Sequence, residues 1–372
     1  MSSPLDLSAV SRRAFLRTAS FTAAALSLPR GLLAVTGSDR KLGVVLVGLG
    51  NYATHQLGPA LRETQHCRLV GVVTGDAAKG AQWARDYGFP ASSIYDYDTM
   101  DRMADNPDID IVYAVTPNAL HAEHCIKAAQ AGKHVVSEKP FTVSVAEADQ
   151  VIAACQKQDV KLSLGYRLHF DPYHAELRRL AASEEFGPFA RMDGNFSFVM
   201  RNPQWRAEHG LAGGGPLMDL GVYIIQAALM AAGEQPPVAV TAKSLHKSRP
   251  EFFKDVEETL EWTMEFPRGE RCRGYTSYND NGNQFRAEAA KGWYQVGPAF
   301  GYRGLKASTS ARGELSFPPF NQQAAQMDDF ALCVKENRES KVNGEMGRRD
   351  MCIIEAIYRA MASGRRELVR YA

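Results

Sequence analysis

The chain has 372 residues, of which 45% are hydrophobic and 23% charged, a composition typical of a soluble globular protein with about two domains. Lysine and arginine number 43 against 42 aspartate and glutamate residues, for a net charge of +1. Binding of nucleic acid or of an anionic membrane through a basic surface is therefore not expected. No uncharged apolar run of about eighteen residues follows residue 40, which excludes a membrane-spanning body. Six scattered cysteines without a C-x-x-C pair argue against a zinc ribbon or a dense disulfide framework.

The N-terminal segment has the pattern of an export signal. Residues 11–17 read S-R-R-A-F-L-R, and a weakly apolar, alanine-rich stretch follows at 19–28. This resembles a twin-arginine signal. We therefore expect residues 1–38 to be a signal and linker recognised by the twin-arginine export machinery, and the protein to work in the periplasm. The alternative is an ordinary amphipathic helix with two arginines. The twin-arginine route carries folded proteins, so a cofactor can be loaded before export.

A strand, a glycine-rich turn and a helix follow in close succession. Residues 42–47 form a continuous apolar run, as expected of a buried parallel strand, and G-L-G-N-Y-A comes next. In this G-x-G-x-x-A pattern Gly48 allows the tight turn, Gly50 lets the backbone approach a pyrophosphate, and Ala53 allows close helix–strand packing. The alternative is a glycine-rich turn in some other α/β protein. The residues of this loop predicted to bind a dinucleotide are Gly48, Gly50, Asn51 and Tyr52.

The end of the second strand indicates which dinucleotide is bound. Residues 68–73 form another apolar strand, and an enzyme that prefers NAD usually carries a carboxylate at its end, which repels a 2′-phosphate. Here Thr74, followed by Gly75, supplies a hydroxyl, and Lys79 supplies positive charge. This combination favours NADP(H). Two alternatives stay open: Asp76 reaches the ribose instead, or Lys79 is a surface lysine without a role.

Two further strand–helix units complete the first half. Residues 110–115 and 133–137 are apolar runs that predict strands, and a helix from His121 ends at Gly132 between them. Right-handed crossovers then give a parallel sheet with its ligand crevice at the carboxyl ends of the strands. His121 and His124 share a helix face, but no third ligand is evident, so no metal is expected. The residues placed in the crevice by this argument are Thr116, Asn118, His121, Glu138 and Lys139.

At the E-K-P triplet of residues 138–140 the sequence begins to resemble a known family, the glucose–fructose oxidoreductase and inositol dehydrogenase family of NAD(P)-dependent sugar oxidoreductases. The resemblance covers most of the chain from residue 41 and rests on the glycine-rich loop, residues 116–118, His121, residues 138–140 and residues 213–219. Tyr223 stands where many members carry histidine. This tyrosine is typical of the glucose–fructose (aldose) oxidoreductase branch, as are the export signal, residues 165–167 and residues 204–206.

The resemblance implies an α/β plus α+β fold: a Rossmann domain at 39–160 and a substrate and oligomerisation domain at 161–372. The second domain is expected to contain a large, mostly antiparallel sheet covered by helices on one face. The uncovered face commonly forms the subunit interface in this family, so a homo-oligomer, either a dimer or a tetramer, is expected. The family's catalytic lysine and aspartate correspond to Lys139, beside the nicotinamide and substrate, and to Asp219.

The second half shows longer strands with partial alternation. Predicted strands cover 189–200, 238–244, 257–266 and 271–278, and predicted helices cover 323–336 and 351–363. Aromatic faces stack on the C–H surfaces of sugars, and guanidinium groups bond paired hydroxyls. A purely structural role is the alternative for each such residue. The candidates for sugar contact are Tyr166, Arg167, His169, Trp205, Arg206, Asp219, Tyr223 and Tyr302, and Arg167 is also a candidate for the cofactor.

The spacing of Asp219 and Tyr223, i and i+4, puts both on one face of a helix. Oxidation of a sugar carbinol needs a base for the hydroxyl proton, and a phenol with a pKa of about 10 is a poor base near neutrality. An adjacent ammonium stabilises a phenolate, and Lys139 is the candidate. Asp219 either accepts a sugar hydroxyl or orients the other two groups. The alternatives are a helix cap for Asp219 and a packing tyrosine for Tyr223.

Together these features predict a periplasmic sugar oxidoreductase with tightly bound NADP(H). It would oxidise an aldose at C1 to the lactone and reduce a second sugar, a ketose or an aldose, to a polyol such as sorbitol by a ping-pong mechanism. Two alternatives stay open: a conventional NADP-dependent sugar dehydrogenase with exchangeable cofactor, and a non-catalytic sugar-sensing protein that keeps the fold and the nucleotide.

Overall fold

Two β-sheets organise residues 40–372, the part of the chain that the computed structural model describes. The predicted export signal at 1–38 lies outside the described residues. The first sheet consists of β1 (Leu42–Val47), β2 (Cys67–Val73), β3 (Ile94–Tyr95), β4 (Ile111–Ala114), β5 (His134–Ser137) and β6 (Leu162–Leu164). All its strands pair in parallel, in the order β3-β2-β1-β4-β5-β6. The strand order reverses between β1 and β4, the position at which such sheets bind ligands.

The first sheet extends beyond the boundary that the sequence suggested. Leu162 of β6 lies opposite Val135 of β5, so the strand that follows residue 160 still belongs to this sheet. The helix between β5 and β6, Val145–Lys157, returns the chain to the edge of the sheet beside β5. The helices of the first half are α1 (Gly58–Glu63), which continues a π-helical segment (Ala53–Leu57), α2 (Ala77–Tyr87), α3 (His121–Gln130) and α4 (Val145–Lys157), with 3-10 segments at Ala91–Ser93, Met100–Asp105 and Asn118–Leu120.

The second sheet has nine strands and is mostly antiparallel, as predicted. Its strands are β7 (Phe189–Ser197), β8 (Ala239–Ser244), β9 (Thr259–Glu265), β10 (Arg271–Ser277), β11 (Gly282–Ala289), β12 (Gly292–Val296), β13 (Ala307–Thr309), β14 (Gly313–Leu315) and β15 (Glu367–Leu368). They lie in the order β14-β13-β12-β11-β7-β10-β9-β8-β15. Only β7 and β10 pair in parallel within this described sheet.

The helices of the second half are α5 (Pro172–Ser183), α6 (His209–Ala212), α7 (Val222–Ala231) after a π-helical segment (Leu217–Gly221), α8 (Gln322–Lys335) and α9 (Gly344–Ser363), with 3-10 segments at Arg167–Phe170 and Trp205–Ala207. The last helix begins seven residues before the predicted start, because the Asn343 side chain accepts a hydrogen bond from the Met346 amide and caps it. The stretch His209–Ala231 is long and apolar enough to span a membrane by composition, and its apolar 18-residue window is entirely buried within the protein.

Helix α7 packs directly on the second sheet. Every residue of this helix is buried, and a Cβ atom added at Gly194 of β7 would lie only 2.5 Å from Ile224 Cγ2. A glycine at this position therefore permits the close approach of helix and sheet. Each fully buried isoleucine or leucine of the helix contributes roughly 2 kcal/mol to stability by leaving water. This packing fixes the first turn of α7, which carries Tyr223.

The face of the second sheet opposite α7 is charged. Since side chains alternate along a strand, the neighbours of Gly194 on β7 point away from the helix. On that face Arg191 lies 2.8 Å from Glu288, and Arg273 lies 3.2 Å from Glu261. The predicted contact between subunits would therefore use a surface rich in cross-strand ion pairs.

Candidate active site

A cavity of about 490 Å³ lies where the carboxyl ends of the first sheet meet the second sheet. The first sheet contributes loops that follow β1, β4, β5 and β6. The second half contributes the first turn of α7, the segment before it and the loop between β12 and β13. Of the residues predicted from sequence, those that line this cavity are Asn51, Tyr52, Thr116, Asn118, His121, Glu138, Lys139, Arg167, Trp205, Arg206, Asp219, Tyr223 and Tyr302.

The glycine-rich loop has the geometry of a phosphate cradle. Gly48 has φ of +93°, and a Cβ atom added there would lie 2.9 Å from Thr116 Cγ2. A Cβ atom added at Gly50 would meet no other atom within 4 Å, so open space lies above this glycine. The helix begins immediately afterwards at Asn51, and its first backbone N–H groups have no partner within the helix. The loop therefore fits the pyrophosphate of a dinucleotide.

The loop after β2 lies outside the cavity lining. Asp76 caps α2, since its Oδ1 accepts a hydrogen bond of 3.0 Å from the Lys79 amide. Thr74 Oγ1 in turn accepts from the Asp76 amide at 3.2 Å. Thr74 is buried, whereas Gly75 and Lys79 are exposed. The Asp76 carboxylate is thus engaged by its own helix, and the Lys79 side chain extends from the first turn of that helix.

His121 joins two cavity loops. Its ring nitrogens each lie 2.9 Å from a carbonyl oxygen, one of Pro140 and one of Thr116. Burial lowers the pKa of His121, although these carbonyl contacts partly oppose that effect. Asn118 Nδ2 donates to the Ala212 carbonyl at 2.8 Å and so connects the β4 loop to the second half. Among the described residues, no group of three or more histidine, cysteine, aspartate or glutamate side chains is placed to hold a metal ion.

Glu138 is held rigidly in the cavity wall. Its Oε1 accepts from Tyr113 Oη at 2.7 Å and its Oε2 from the Lys139 amide at 3.0 Å. Burial raises the pKa of this carboxyl group. A Cβ atom added at Gly165 would lie 2.5 Å from Glu138 Oε1. The glycine before Tyr166 is therefore required by the position of this carboxylate.

Asp219 holds two cations in the cavity. Lys139 Nζ donates to the Asp219 carbonyl at 2.8 Å and to its Oδ1 at 3.1 Å, while Arg206 Nε donates to Oδ2 at 3.0 Å. Burial raises the pKa of Asp219, but Arg206 and Lys139 outweigh it and lower the pKa to about 2. The carboxylate is therefore ionised and orients both cations. It lies in the π-helical segment before α7, so the expected single α-helix from Asp219 to Tyr223 has a π-helical first part.

Tyr223 lies between two cations. Its Oη accepts a hydrogen bond of 3.2 Å from Arg167 Nε, and Lys139 Nζ lies 4.9 Å from the centroid of its ring. Burial opposes the charge of Lys139, but its electrostatic interactions with Tyr223, Asp219 and Glu138 outweigh burial and raise the pKa of Lys139. The lysine therefore stays protonated. The Arg167 guanidinium and the Lys139 ammonium therefore both lie against the Tyr223 phenol.

Arg167 is only 2% exposed, and all its described hydrogen bonds go to uncharged groups. Besides Tyr223, its guanidinium donates to the Phe300 carbonyl at 2.7 Å and to Gln322 Oε1 at 2.6 Å. The Tyr302 ring lies 4.7 Å from the guanidinium carbon. Arg167 thus supports both the cavity floor and the loop between β12 and β13.

Two predicted sugar contacts do not reach the cavity. Tyr166 and His169 are buried behind it and are absent from its lining. His169 Nε2 lies 2.5 Å from Gln226 Oε1 on α7, and burial lowers the pKa of His169 to about 3. Gln226 Nε2 also donates to Asp350 Oδ2. These residues form a buried polar network behind Tyr223.

Comparison with known proteins identifies the family. Residues 42–166 match an oxidoreductase family model with an NAD-binding Rossmann fold, and residues 174–295 match the GFO/IDH/MocA C-terminal domain. The crystal structure of an aldose–aldose oxidoreductase from Caulobacter crescentus is 38% identical, with a TM-score of 0.86 over 88% of this chain and 100% of that chain. The chain belongs to the GFO/IDH/MocA family of oxidoreductases.

Other similar proteins agree with this membership. A D-xylose 1-dehydrogenase [NADP(+)] of Haloarcula marismortui is 27% identical over 336 residues, which cover 87% of this chain and 92% of that protein. A levoglucosan dehydrogenase in complex with NADH and levoglucosan is 20% identical, with a TM-score of 0.77 over 90% of this chain and 100% of that chain. At 20% identity, the similarity to the levoglucosan dehydrogenase shows a shared fold.

The cavity of this family member also contains residues that sequence reasoning missed. Four of them directly adjoin predicted residues in the chain, whereas the others come from two strands of the second sheet and from loops outside any quoted motif. Phe196 and Phe300 form ring contacts with Tyr223, with centroids 5.5 Å and 6.1 Å away. The missed lining residues are Val115, Phe196, Phe198, Gln204, Leu220, Asn283, Phe300 and Gly301.

Proposed function

We propose that this protein is a sugar oxidoreductase that oxidises an aldose at C1 to the lactone, using NADP(H), and then reduces a second sugar to a polyol in a ping-pong cycle. One observation carries the proposal: the Tyr223 phenol lies between Lys139 and Arg167 in a cavity that begins at a dinucleotide-binding loop. The relatives named as an aldose–aldose oxidoreductase and an NADP-dependent xylose dehydrogenase support the substrate class.

The geometry of the first-sheet loops supports the residues proposed to hold the nucleotide. Gly48, Gly50 and the N-terminus of the following helix accommodate the pyrophosphate. Thr74 and Lys79 favour a 2′-phosphate, because the hydroxyl donates and the ammonium attracts negative charge. When bound, NADP(H) supplies the hydride acceptor for the first sugar and the hydride donor for the second.

Tyr223 is the proposed proton-transfer group. In the oxidising half-reaction its phenolate takes the C1 hydroxyl proton as a hydride leaves the same carbon. In the reducing half-reaction the phenol returns this proton to the carbonyl oxygen of the second sugar. Lys139 and Arg167 stabilise the phenolate, and Asp219 keeps Lys139 in position. Trp205 and Arg206, whose ring and guanidinium lie 4.4 Å apart, offer an apolar face and donors to the sugar.

The export pattern of residues 11–17 supports the ping-pong cycle. We place the working protein in the periplasm, where a free NADP pool is not expected. An enzyme that released NADPH there would stop after one turnover. A nucleotide loaded before export, retained tightly and regenerated by a second sugar avoids this limitation.

The test mixes purified protein with two sugars and no added nucleotide. Lactone and polyol are expected in equal amounts, and extraction of the denatured protein is expected to release mainly NADP(H). A requirement for added NADP, together with nucleotide-free purified protein, would favour the conventional dehydrogenase. Sugar binding without turnover would favour the sugar-sensing protein.

A further inference from the structure

A buried carboxylate, that of Glu257, holds the start of the segment that carries Asp219. Its Oε2 accepts a hydrogen bond of 2.9 Å from the Gly215 amide, and its Oε1 accepts one of 3.1 Å from the Leu217 amide. Pro216, between these residues, has no N–H to donate. Glu257 therefore takes both N–H groups that residues 215–217 offer at the start of the helix, where no carbonyl of an earlier turn is available.

The glycine run at residues 213–215 permits this contact. A Cβ atom added at Gly215 would lie 2.9 Å from Glu257 Cδ and would collide with the Glu257 carbonyl oxygen. A Cβ atom added at Gly214 would collide with Tyr358 Oη of α9. The same Tyr358 hydroxyl donates to Glu257 Oε1 at 3.2 Å. The carboxylate is thus held by two backbone amides and one phenol, and the two glycines let the chain pass close to it.

The charge of Glu257 suits the start of a helix. Burial raises the pKa of this carboxyl group, although the hydrogen bonds from the Leu217 and Gly215 amides oppose that effect. A negative charge is favoured at this end of a helix because the first N–H groups and the helix dipole attract it. The helical run continues from the π-helical segment into α7. Glu257, two residues before β9, therefore anchors to the second sheet the element that carries both Asp219 and Tyr223.

The anchored backbone lies one turn before the groups that hold Lys139. The Asp219 amide donates to the Gly215 carbonyl at 3.4 Å. Lys139 Nζ in turn donates to the Asp219 carbonyl at 2.8 Å and to its Oδ1 at 3.1 Å. Because one of these bonds goes to the backbone, a displacement of the segment moves the Lys139 ammonium even when the Asp219 side chain is intact. That ammonium lies 4.9 Å from the centroid of the Tyr223 ring.

We propose that Glu257 is a positioning residue that keeps the Lys139 ammonium against the Tyr223 phenol. It acts through the backbone of residues 215–219 and does not line the catalytic cavity. The inference rests on the proposed function, in which Tyr223 transfers the proton. Loss of the Glu257 carboxylate should let the ammonium recede, so that the reaction requires a higher pH, since a nearby cation favours the phenolate.

Glu257→Gln tests this role, because an amide has one acceptor oxygen and cannot hold both N–H groups in the same way. The rate of nucleotide reduction is measured against pH after protein loaded with NADP is mixed with glucose. The half-maximal pH should rise by about one unit, since a cation within about 4–6 Å changes the ionisation of a neighbour by about 1–3 units. The rate at high pH should recover to within about twofold of the unmodified protein. Loss of the Glu257 charge acting through space would move the profile to lower pH instead.

Glu270→Gln is the matched control. Glu270 is a buried carboxylate that also accepts from a backbone amide, that of Arg268 at 3.1 Å, and it lies outside the cavity lining. This variant should leave the profile unchanged. Tyr358→Phe removes one donor to Glu257 and should shift the profile upward by a smaller amount, and it decides the question if Glu257→Gln does not fold. A rate that falls equally at every pH, with an unshifted midpoint, would overturn the inference.

A second measurement does not depend on turnover. Acetic anhydride labels deprotonated amines; burial lowers the pKa of Lys139, and its electrostatic interactions in the cavity raise it. In Glu257→Gln the labelling of Lys139, measured by peptide mass spectrometry, should rise about tenfold for a fall of one pKa unit. Labelling of Lys133, another buried lysine, should stay constant. Unchanged labelling of Lys139, or an equal rise at Lys133, would reject the positioning role. If the unmodified protein oxidises no sugar, the proposed function fails, whereas the labelling still tests the position of Lys139.

Discussion

The two sheets contribute to the catalytic cavity in different ways. Around the first sheet, each contributing residue lies within a few positions of the end of a parallel strand, in a loop that a short motif marks. Around the second sheet, the contributors come from α7, from the segment before it and from the loop between β12 and β13, which are separated by about eighty residues. Local geometry thus builds the proposed nucleotide site, whereas long-range packing builds the proposed proton-transfer site.

This difference predicts that substitutions near the two sheets affect different properties of the protein. Substitutions in the strand-end loops of the first sheet should change nucleotide retention or choice. Substitutions around Tyr223 should change turnover while the nucleotide remains bound. Lys139 belongs to both groups, because it follows a strand of the first sheet and contacts Asp219 of the second half.

The largest expected effect is on turnover in Tyr223→Phe. Loss of a proton-transfer group typically costs about 10²–10⁴-fold in rate, and the first-sheet loops that hold the nucleotide are unchanged. Initial rates and the nucleotide content of the purified variant are to be measured together. The combined losses of Lys139→Ala and Tyr223→Phe should not add, because the two groups act as a unit. A near-normal rate in Tyr223→Phe would show that Tyr223 does not transfer the proton and serves only to pack the cavity wall.

Gly50→Val is expected to reduce nucleotide retention about a hundredfold. The side chain would occupy the open space above Gly50 and remove about two phosphate hydrogen bonds, each worth roughly 1.5 kcal/mol. The nucleotide-free variant should keep its melting temperature, since no neighbour obstructs a Cβ atom at Gly50. Gly48→Val is the contrasting variant and should also lose stability, because its backbone has positive φ and Thr116 is close. Equal melting losses in both variants would contradict this distinction.

Thr74→Glu should shift nucleotide preference from NADP toward NAD by about tenfold. A carboxylate at the end of β2 repels a 2′-phosphate and accepts from the ribose hydroxyls, and loss of one charged hydrogen bond costs roughly 1.5 kcal/mol. The measurement is the ratio of the two dissociation constants in nucleotide-stripped protein. Asp98→Glu, in an exposed loop outside the cavity lining, is the control. An unchanged ratio in Thr74→Glu would count against a 2′-phosphate site at this loop.

The smallest expected effects on turnover concern two buried histidines, one in each half, which act mainly on stability. Burial lowers the pKa of His124 to about 4 and that of His169 to about 3, whereas an unfolded histidine has a pKa of about 6.5. The unfolded chain therefore binds more protons below pH 6.5, so the stability falls as the pH falls from about 6.5 toward these values. Each histidine contributes a slope of up to about 1.4 kcal/mol per pH unit.

Chemical denaturation of the unmodified protein, His124→Gln and His169→Gln between pH 7 and pH 4.5 measures these slopes. Each variant should lower the slope of the unfolding free energy against pH by up to about 1.4 kcal/mol per pH unit, because one histidine no longer takes up a proton on unfolding. His169→Gln should in addition reduce turnover modestly, because His169 contacts Gln226, one turn beyond Tyr223 on α7. A slope equal to that of the unmodified protein would show that the substituted histidine is protonated in the folded state.

The sequence was most informative where function requires a local backbone shape. The turn at Gly48, the strand-end position of Thr74 and the E-K-P lysine were all located from motifs, and the parallel first sheet was predicted correctly. The predictions missed β3, β6 and the strands after Ser277. Strands of two or three residues, such as β3 and β6, carry too little periodicity to be recognised, and their pairing depends on neighbours distant in the chain.

The sequence by itself determined the parallel character of the first sheet, the glycine positions and the residue types of the proposed chemistry. Only the tertiary structure decided that Arg167 lies against Tyr223, that Asp219 joins Lys139 to Arg206, and that His169 faces α7 instead of the cavity. The physical reason is the range of the interactions. A backbone turn depends on the conformation of a few consecutive residues, whereas the partners of a buried charge or imidazole depend on which distant elements pack around it.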